Sequence, residues 1–237
     1  MSFMQSAESN RIRIKRLVMR AGGRTPGGLA RALGAMAGWL DMGRWLREQS
    51  LYPARDFGSK EEIFDYIAAD IADQEVAYLE FGVWKGDSIR YWSKLLRHPQ
   101  SALHGFDSFE GLPEAWNGIG SSMARGMFST GGKPPQINDP RVRFFKGLFQ
   151  ETLPGYIVPP HQALVINMDA DLYSSTRYVL GRLKDEIKIG TWLYFDELSI
   201  WQHEFRAFRE FVEETGMRFK VLGHCGGMFQ TAFRRIA

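Results

Sequence analysis

The chain has 237 residues, 44% hydrophobic and 24% charged, which reads as one globular domain with a small extension and excludes collagen, low-complexity disorder and a disulfide-stapled mini-protein. Its single cysteine, Cys225, can form neither an internal bridge nor a zinc cage, so the expected compartment is reducing and cytoplasmic. The net charge of +3 hides an asymmetry: residues 1–60 hold eleven Lys/Arg against four Asp/Glu, and residues 61–237 nineteen against twenty-three.

The N-terminal quarter, residues 1–56, is expected to be a basic helical extension. No apolar run reaches the ~20 residues needed to span a bilayer. The best, Leu29 to Leu40, is broken by Arg31, so no integral membrane segment is expected. Arg31 also argues against a secretory leader, and an organellar transit peptide is the other reading of the acid-poor stretch Asn10 to Arg31. Leu29, Leu33, Met36, Leu40 and Trp45 recur at helical spacing with Asp41, Arg44 and Arg47 on other faces, so this stripe should bury against the parent domain, a partner subunit or a membrane surface. Pro53 closes the segment. Ser59 followed by Glu61 and Glu62 then predicts a capped helix start.

From Ala77 onward short apolar runs alternate with helical stretches, the pattern of a mostly parallel sheet with helices on both faces. Strands are expected at Ala77–Phe81, Leu103–Phe106, Val142–Phe145, Leu164–Met168 and Trp192–Phe195. Helices are expected near Ser88–Leu96, Ser174–Leu183 and Glu204–Glu214. Strands near Phe219–Leu222 and Phe229–Phe233 finish the chain with no clear helix between them, which makes the last one antiparallel. The connection Gly111 to Pro140 has six glycines and four prolines. With Trp116 and Phe128 it reads as a lid over something apolar.

The chemistry gathers at the ends of these strands. The first runs into Gly82-Val83-Trp84-Lys85-Gly86 and a helix, a turn that lets backbone approach a ligand. A third glycine for a pyrophosphate cradle is missing. The second strand ends at Asp107, suited to accept the hydroxyls of a ribose. The fourth ends in Asp169-Ala170-Asp171 and the fifth in Asp196-Glu197. Asp169, Asp196 and Glu197 should converge and repel one another unless protons or a cation intervene, and oxygen-only donors favour magnesium over zinc. Asp171 reads as the cap of the following helix.

The stretches YLEFGVWKGDSI, HGFDSFEGLPEAW, RVRFFKGLFQETLP, INMDADLYSST and LYFDEL resemble, in order and spacing, the class I S-adenosylmethionine-dependent methyltransferases, and most closely the macrocin O-methyltransferase (TylF/MycF-like) group, over roughly residues 57–237. The resemblance implies a Rossmann-like α/β fold with a seven-stranded, mostly parallel sheet, its lid at 111–140. It implies S-adenosylmethionine held by Glu80, Gly82, Val83, Gly86, Ser88, Asp107, Ser108, Lys146, Gly147 and Asp169. It implies Mg2+ on Asp169, Asp196 and Glu197, and methyl transfer to a hydroxyl oxygen of a small acceptor, a sugar or natural-product glycoside. Glu197 stands where the sugar-modifying members commonly have Asp, and its longer side chain would shift a bound ion.

A proton acceptor is the remaining requirement. Of the five histidines, His203 follows the strand bearing two of the expected metal ligands and is the leading candidate beside Asp169. His224 ranks lower, and Lys146 qualifies only with a depressed pKa. The rival classes are a nicotinamide oxidoreductase, which lacks its third glycine; a non-catalytic cofactor-binding or scaffold protein, which would not need the acids; and a nucleic-acid methyltransferase, disfavoured by the acidic body. A homo-oligomer completed through the N-terminal helix and the lid is the expected assembly.

Overall fold

The computed structural model describes residues 2–52, 54–118 and 122–237. Pro53 and residues 119–121 of the long connection lie outside the described residues. In chain order the elements begin with α1 (Ser2–Gly22), α2 (Gly27–Glu48), α3 (Lys60–Ile71), β1 (Val76–Phe81), α4 (Asp87–Leu95) and β2 (Ala102–Asp107). A two-residue pair, β3 (Trp116–Asn117) and β4 (Ser122–Met123), precedes β5 (Val142–Lys146) and the short α5 (Phe149–Thr152). Then come β6 (Ala163–Met168), α6 (Tyr173–Leu183), β7 (Trp192–Phe195), α7 (Glu204–Thr215), β8 (Phe219–Cys225) and β9 (Gln230–Arg235).

Seven strands form one sheet in the order β5-β2-β1-β6-β7-β9-β8. It is parallel except where β9 runs against β7 and β8, so the architecture is the Rossmann-like one expected. Central strands buried on both faces need continuous apolar runs rather than alternation, and every residue of β1 and β6 is buried. The chain builds outward from β1 through β2 to β5, then crosses back to place β6 on the other side of β1. That reversal opens a crevice beyond the carboxyl ends of β1 and β6, where open α/β sheets bind ligands.

Local chemistry sets the element ends. Ser59 caps α3 by accepting the Glu62 N–H at 3.3 Å, while Glu62 reaches back to the Gly58 N–H at 3.0 Å, a reciprocal arrangement that satisfies two orphan donors. β8 slips register between Val221 and Gly223. Phe57 packs into that bulge, where any Cβ on Gly223 would overlap its ring, and the Phe57 N–H donates to the His224 carbonyl at 2.8 Å.

The N-terminal helices depart from expectation. Of the stripe Leu29, Leu33, Met36, Leu40 and Trp45, only Trp45 is buried. The docked face of α2 is instead Ala35, Gly38, Met42, Trp45 and Leu46. Trp45 meets Phe205 and Phe208 of α7 edge-on at centroid distances of 5.4 and 6.0 Å, and Gly38 lies so close to Trp201 that a Cβ would sit 2.5 Å from its ring. Small residues at 35 and 38 permit this approach, and the large side chains on the opposite face would not. Each large apolar side chain buried here contributes about 1.5–3 kcal/mol, so α2 is part of the main core rather than an appendage.

Candidate active site

A cavity of about 600 Å³ opens at the carboxyl ends of β1, β2, β6 and β7 beneath the long connection. Gly82, directly after β1, has φ +93°, and a Cβ there would overlap the carbonyl oxygen of Asp169. Only glycine lets the ends of β1 and β6 close on each other in this way. Gly86 also has positive φ, +77°, but a Cβ on it would meet Pro135 Cγ at 2.7 Å. Its smallness admits the long connection and not a ligand.

Asp107 uses its carboxylate to knit the turn after β1 to the end of β2. Oδ2 accepts the Val83 and Trp84 N–H groups, each at 2.8 Å, and Oδ1 accepts that of Phe109 at 2.7 Å. Asp107 lines the cavity with its remaining acceptor capacity, together with Ser108 and Gly147. Gly82 and Asp169 line it too, whereas the expected cofactor residues Glu80, Val83, Gly86, Ser88 and Lys146 do not. Glu80 is sealed in the sheet, its Oε2 accepting from the Tyr78 hydroxyl at 2.5 Å and weakly from Asn167; burial pushes its carboxyl up to about 8. Val83 and Ser88 are buried behind the turn. Lys146 is exposed, with Nζ 3.7 Å from Glu110.

Asp169, Asp171, Asp196 and Glu197 line one side of the cavity. Burial, then the charge of Asp196, holds the Asp169 carboxyl well above the usual carboxylate range. Burial also lifts Asp171 and Glu197 to about 7, with neighbouring acids adding to the effect. Asp196 is ordered by the Tyr194 hydroxyl at 2.8 Å and Gln230 Nε2 at 3.0 Å, both donating to Oδ1, and Lys60 Nζ stands 3.9 Å from the same oxygen. Glu197 Oε2 is buried with no hydrogen-bond partner. Behind it the fully buried Glu204 accepts the Glu197 N–H at 2.9 Å, and its other oxygen has no partner.

Asp171 is not a helix cap: Leu172 is the first cap residue of α6 and no side chain caps that end. Asp171 instead adopts φ +58° and lines the cavity. The sequence also gave no separate notice of Lys60 or Glu204. Lys60 is the first residue of a helix more than a hundred residues upstream, and Glu204 looks like an ordinary first-turn acid of α7. Only the fold reveals that both face the acid cluster.

The connection closes over this volume in two places. Phe128 lines the cavity and meets Trp84 edge-on at 5.6 Å. Trp116 is buried in a cluster with Leu112 and Leu172 and stacks on His203 at 5.6 Å and 14°. His203 does not line the cavity. Its Nδ1 accepts the Tyr173 N–H at 3.2 Å, and Nε2 lies 3.1 Å from the Asn117 carbonyl, which requires the tautomer with the proton on Nε2. His203 therefore latches the connection to α6. His224 lies in β8, its Nδ1 3.4 Å from Asp56.

Residues 133–223 match the family model of Macrocin-O-methyltransferase (TylF), a segment that holds Gly147, Asp169, Asp171, Asp196 and Glu197. A curated relative in Streptomyces olivaceus, 8-demethyl-8-(2,3-dimethoxy-alpha-L-rhamnosyl)-tetracenomycin-C 4'-O-methyltransferase, is 32% identical over 143 residues, 52% of this chain and 52% of that one. Demethyldecarbamoylnovobiocin O-methyltransferase of Streptomyces niveus is 26% identical over 140 residues, 50% of this chain and 51% of that one. The chain thus spans about half the length of the curated relatives it matches. Among solved structures, the O-methyltransferase NovP superposes with a TM-score of 0.59 at 21% identity, covering 75% of this chain and 80% of NovP. A calicheamicin methyltransferase gives 0.58 at 22% identity, covering 74% and 77%. These two likenesses establish the fold.

Proposed function

We propose that this protein is a magnesium-dependent O-methyltransferase that moves the methyl group of S-adenosylmethionine to a sugar hydroxyl of a glycosylated small molecule. The observation that carries this reading is the pinch of Gly82 against Asp169 at the sheet reversal, which brings an open glycine turn and a row of carboxylates to one lidded cavity. A cavity of about 600 Å³ is within the ordinary range for small-molecule sites. The sugar acceptor is suggested by the rhamnosyl group in the printed name of the Streptomyces olivaceus relative.

In this reading the turn at Gly82 and the free acceptor capacity of Asp107 receive the cofactor, and Ser108 and Gly147 bound it. Asp169, Asp196 and Glu197 would hold the metal. Their oxygen-only chemistry and the unpartnered buried oxygen of Glu197 fit a hard divalent cation. Among the described residues no three such side chains already converge on a single point, so ligation would need these carboxylates to turn toward one another. When bound, the cofactor supplies a methyl on a sulfonium, and the metal would orient a vicinal diol and lower its pKa. The chain's own work is then positional: Trp84, Phe128 and Leu112 exclude water, His203 holds the lid, and Asp169 accepts the hydroxyl proton at a carboxylate oxygen.

Calorimetric titration with S-adenosylhomocysteine, beside Asp107→Ala, tests the cofactor site, and magnesium titration beside Asp169→Ala tests the metal site. Binding that each variant loses, with labelled methyl appearing on glycosylated diols only when wild type and magnesium are both present, is the expected result. A folded wild type that binds no S-adenosylhomocysteine would overturn the reading in favour of a non-catalytic scaffold.

A further inference from the structure

α2 is apolar on two opposite sides. Met42, Trp45 and Leu46 enter the core, while Leu29, Leu33, Met36 and Leu40 point away from it, each more than half exposed. Their steps of four, three and four residues put the outward set on one face of the helix. Trp39, at the flank of this face, is 50% exposed. α1 continues the theme: every residue from Arg11 to Gly22 is exposed. Ile14, Leu17 and Val18 share one side, with Arg13, Arg16 and Arg20 grouped on the other. Between Asn10 and Arg31 there are seven Lys/Arg and no Asp/Glu.

An exposed apolar face rimmed by charge marks an interaction surface, and the charge selects the occupant. A second copy would have to bring two such basic segments together, each without an acid to offer the other. A nucleic acid would take the cations but gain nothing from four outward aliphatic side chains. An anionic bilayer surface takes both: aliphatic side chains enter the acyl boundary while Arg and Lys meet the headgroups.

We propose that α1 and α2 seat this protein on an anionic lipid bilayer surface, with Leu29, Leu33, Met36 and Leu40 entering the interface and the arginines of α1 contacting lipid phosphates. The helices lie on the membrane and do not cross it, since among the described residues no helix is long and apolar enough to span one. The seat is rigid. Asp41 of α2 pairs with Arg209 at 2.5 Å, and the Trp39 indole N–H donates to the Ser199 carbonyl at 3.3 Å. These contacts join α2 to α7 and to the segment that follows Asp196 and Glu197. This inference stands independently of the methyl-transfer reading.

Flotation of the full chain with phosphatidylcholine vesicles, with and without phosphatidylglycerol, is the test, read alongside tryptophan emission. The expected result is binding to the anionic vesicles alone, weakened by salt, with a blue shift that Trp39→Phe diminishes. Arg13→Glu with Arg16→Glu and Arg20→Glu should cut the affinity by at least about a hundredfold, given about fivefold for each charge lost. Leu33→Ser with Leu40→Ser should also weaken binding with the charge intact, and both variants should keep the wild-type unfolding midpoint. Absence of flotation, or equal binding to neutral vesicles, overturns the proposal. So does oligonucleotide binding that the Leu33→Ser and Leu40→Ser pair leaves untouched, or a dimer, without lipid binding, that this pair dissociates.

Discussion

Two regions of the molecule break the ordinary rules of burial in opposite directions. At the carboxyl ends of β6 and β7, Asp169, Asp171, Glu197 and Glu204 are withdrawn from water and crowded together, so their carboxyls are all raised. On α2 the reverse holds, with Leu29, Leu33, Met36 and Leu40 left in water. Buried like charge and exposed aliphatic surface both cost stability. Under the two proposals above, a fold that tolerates both gives up that stability for what it would bind, cations and cofactor in the cavity and a bilayer surface on α2. The sign of the charge follows the same division: acids line the cavity, bases coat the helices.

Asp169→Asn is expected to have the largest effect. It should lower methyl transfer by about 10²–10⁴-fold while leaving the unfolding midpoint unchanged or higher, because a strained buried acid has been neutralised; kinetics and a thermal melt on the same sample check both halves. Gly82→Ala should cost at least about 3 kcal/mol in denaturant unfolding, since its Cβ would overlap the Asp169 carbonyl. A variant of wild-type stability would mean that β1 and β6 do not close as described.

Glu80 makes the stability of the fold depend on pH. Burial raises its carboxyl to about 8 in the folded chain, against an ordinary value near ~4.3 when unfolded. The folded protein then holds a proton that the unfolded chain has released, so stability from this group is full below the unfolded pKa and is lost as pH rises through about 8. The loss should be of the order of a few kcal/mol, and Glu80→Gln should flatten that slope in denaturant titrations at a series of pH values.

His203→Ala should cost about 1–2 kcal/mol through its two hydrogen bonds, raise KM more than it lowers kcat, and hasten proteolytic nicking between residues 111 and 140. A fall in kcat at unchanged KM would instead make His203 a proton acceptor in the reaction. Arg13→Glu with Arg16→Glu, in the other region, should shift unfolding by no more than about 0.5 kcal/mol, because exposed charges on α1 hold nothing of the core.

Much of this was legible in the chain alone. The strand runs from Ala77 to Phe233 match the observed strands to within a few residues, because a strand buried on both faces must be a continuous apolar run. The antiparallel last strand followed from the lack of room for a crossover helix. Gly82, Asp107, Asp169, Asp196 and Glu197 follow from strand ends, and Ser108 and Gly147 from the family resemblance; all line the cavity. Glu80, Val83, Gly86, Ser88 and Lys146 were named from the same blocks and stand outside it, since position along a strand does not say which way a side chain turns. The short α5 and the β3–β4 pair were not foreseen, being too brief to show periodicity.

Local forces set the alternation of strand and helix, the Ser59 cap, the glycine turn and the carboxylates at strand ends, and these can be read from the residues alone. Tertiary structure alone decided which of two apolar faces of α2 would be buried, because only the small residues Ala35 and Gly38 let Trp201 and α7 come close. It also decided that Asp171, Lys60 and Glu204 join one cluster and that His203 packs on Trp116 of the long connection. Those outcomes depend on contacts between residues far apart in the chain, and spacing along a sequence carries no record of such distances.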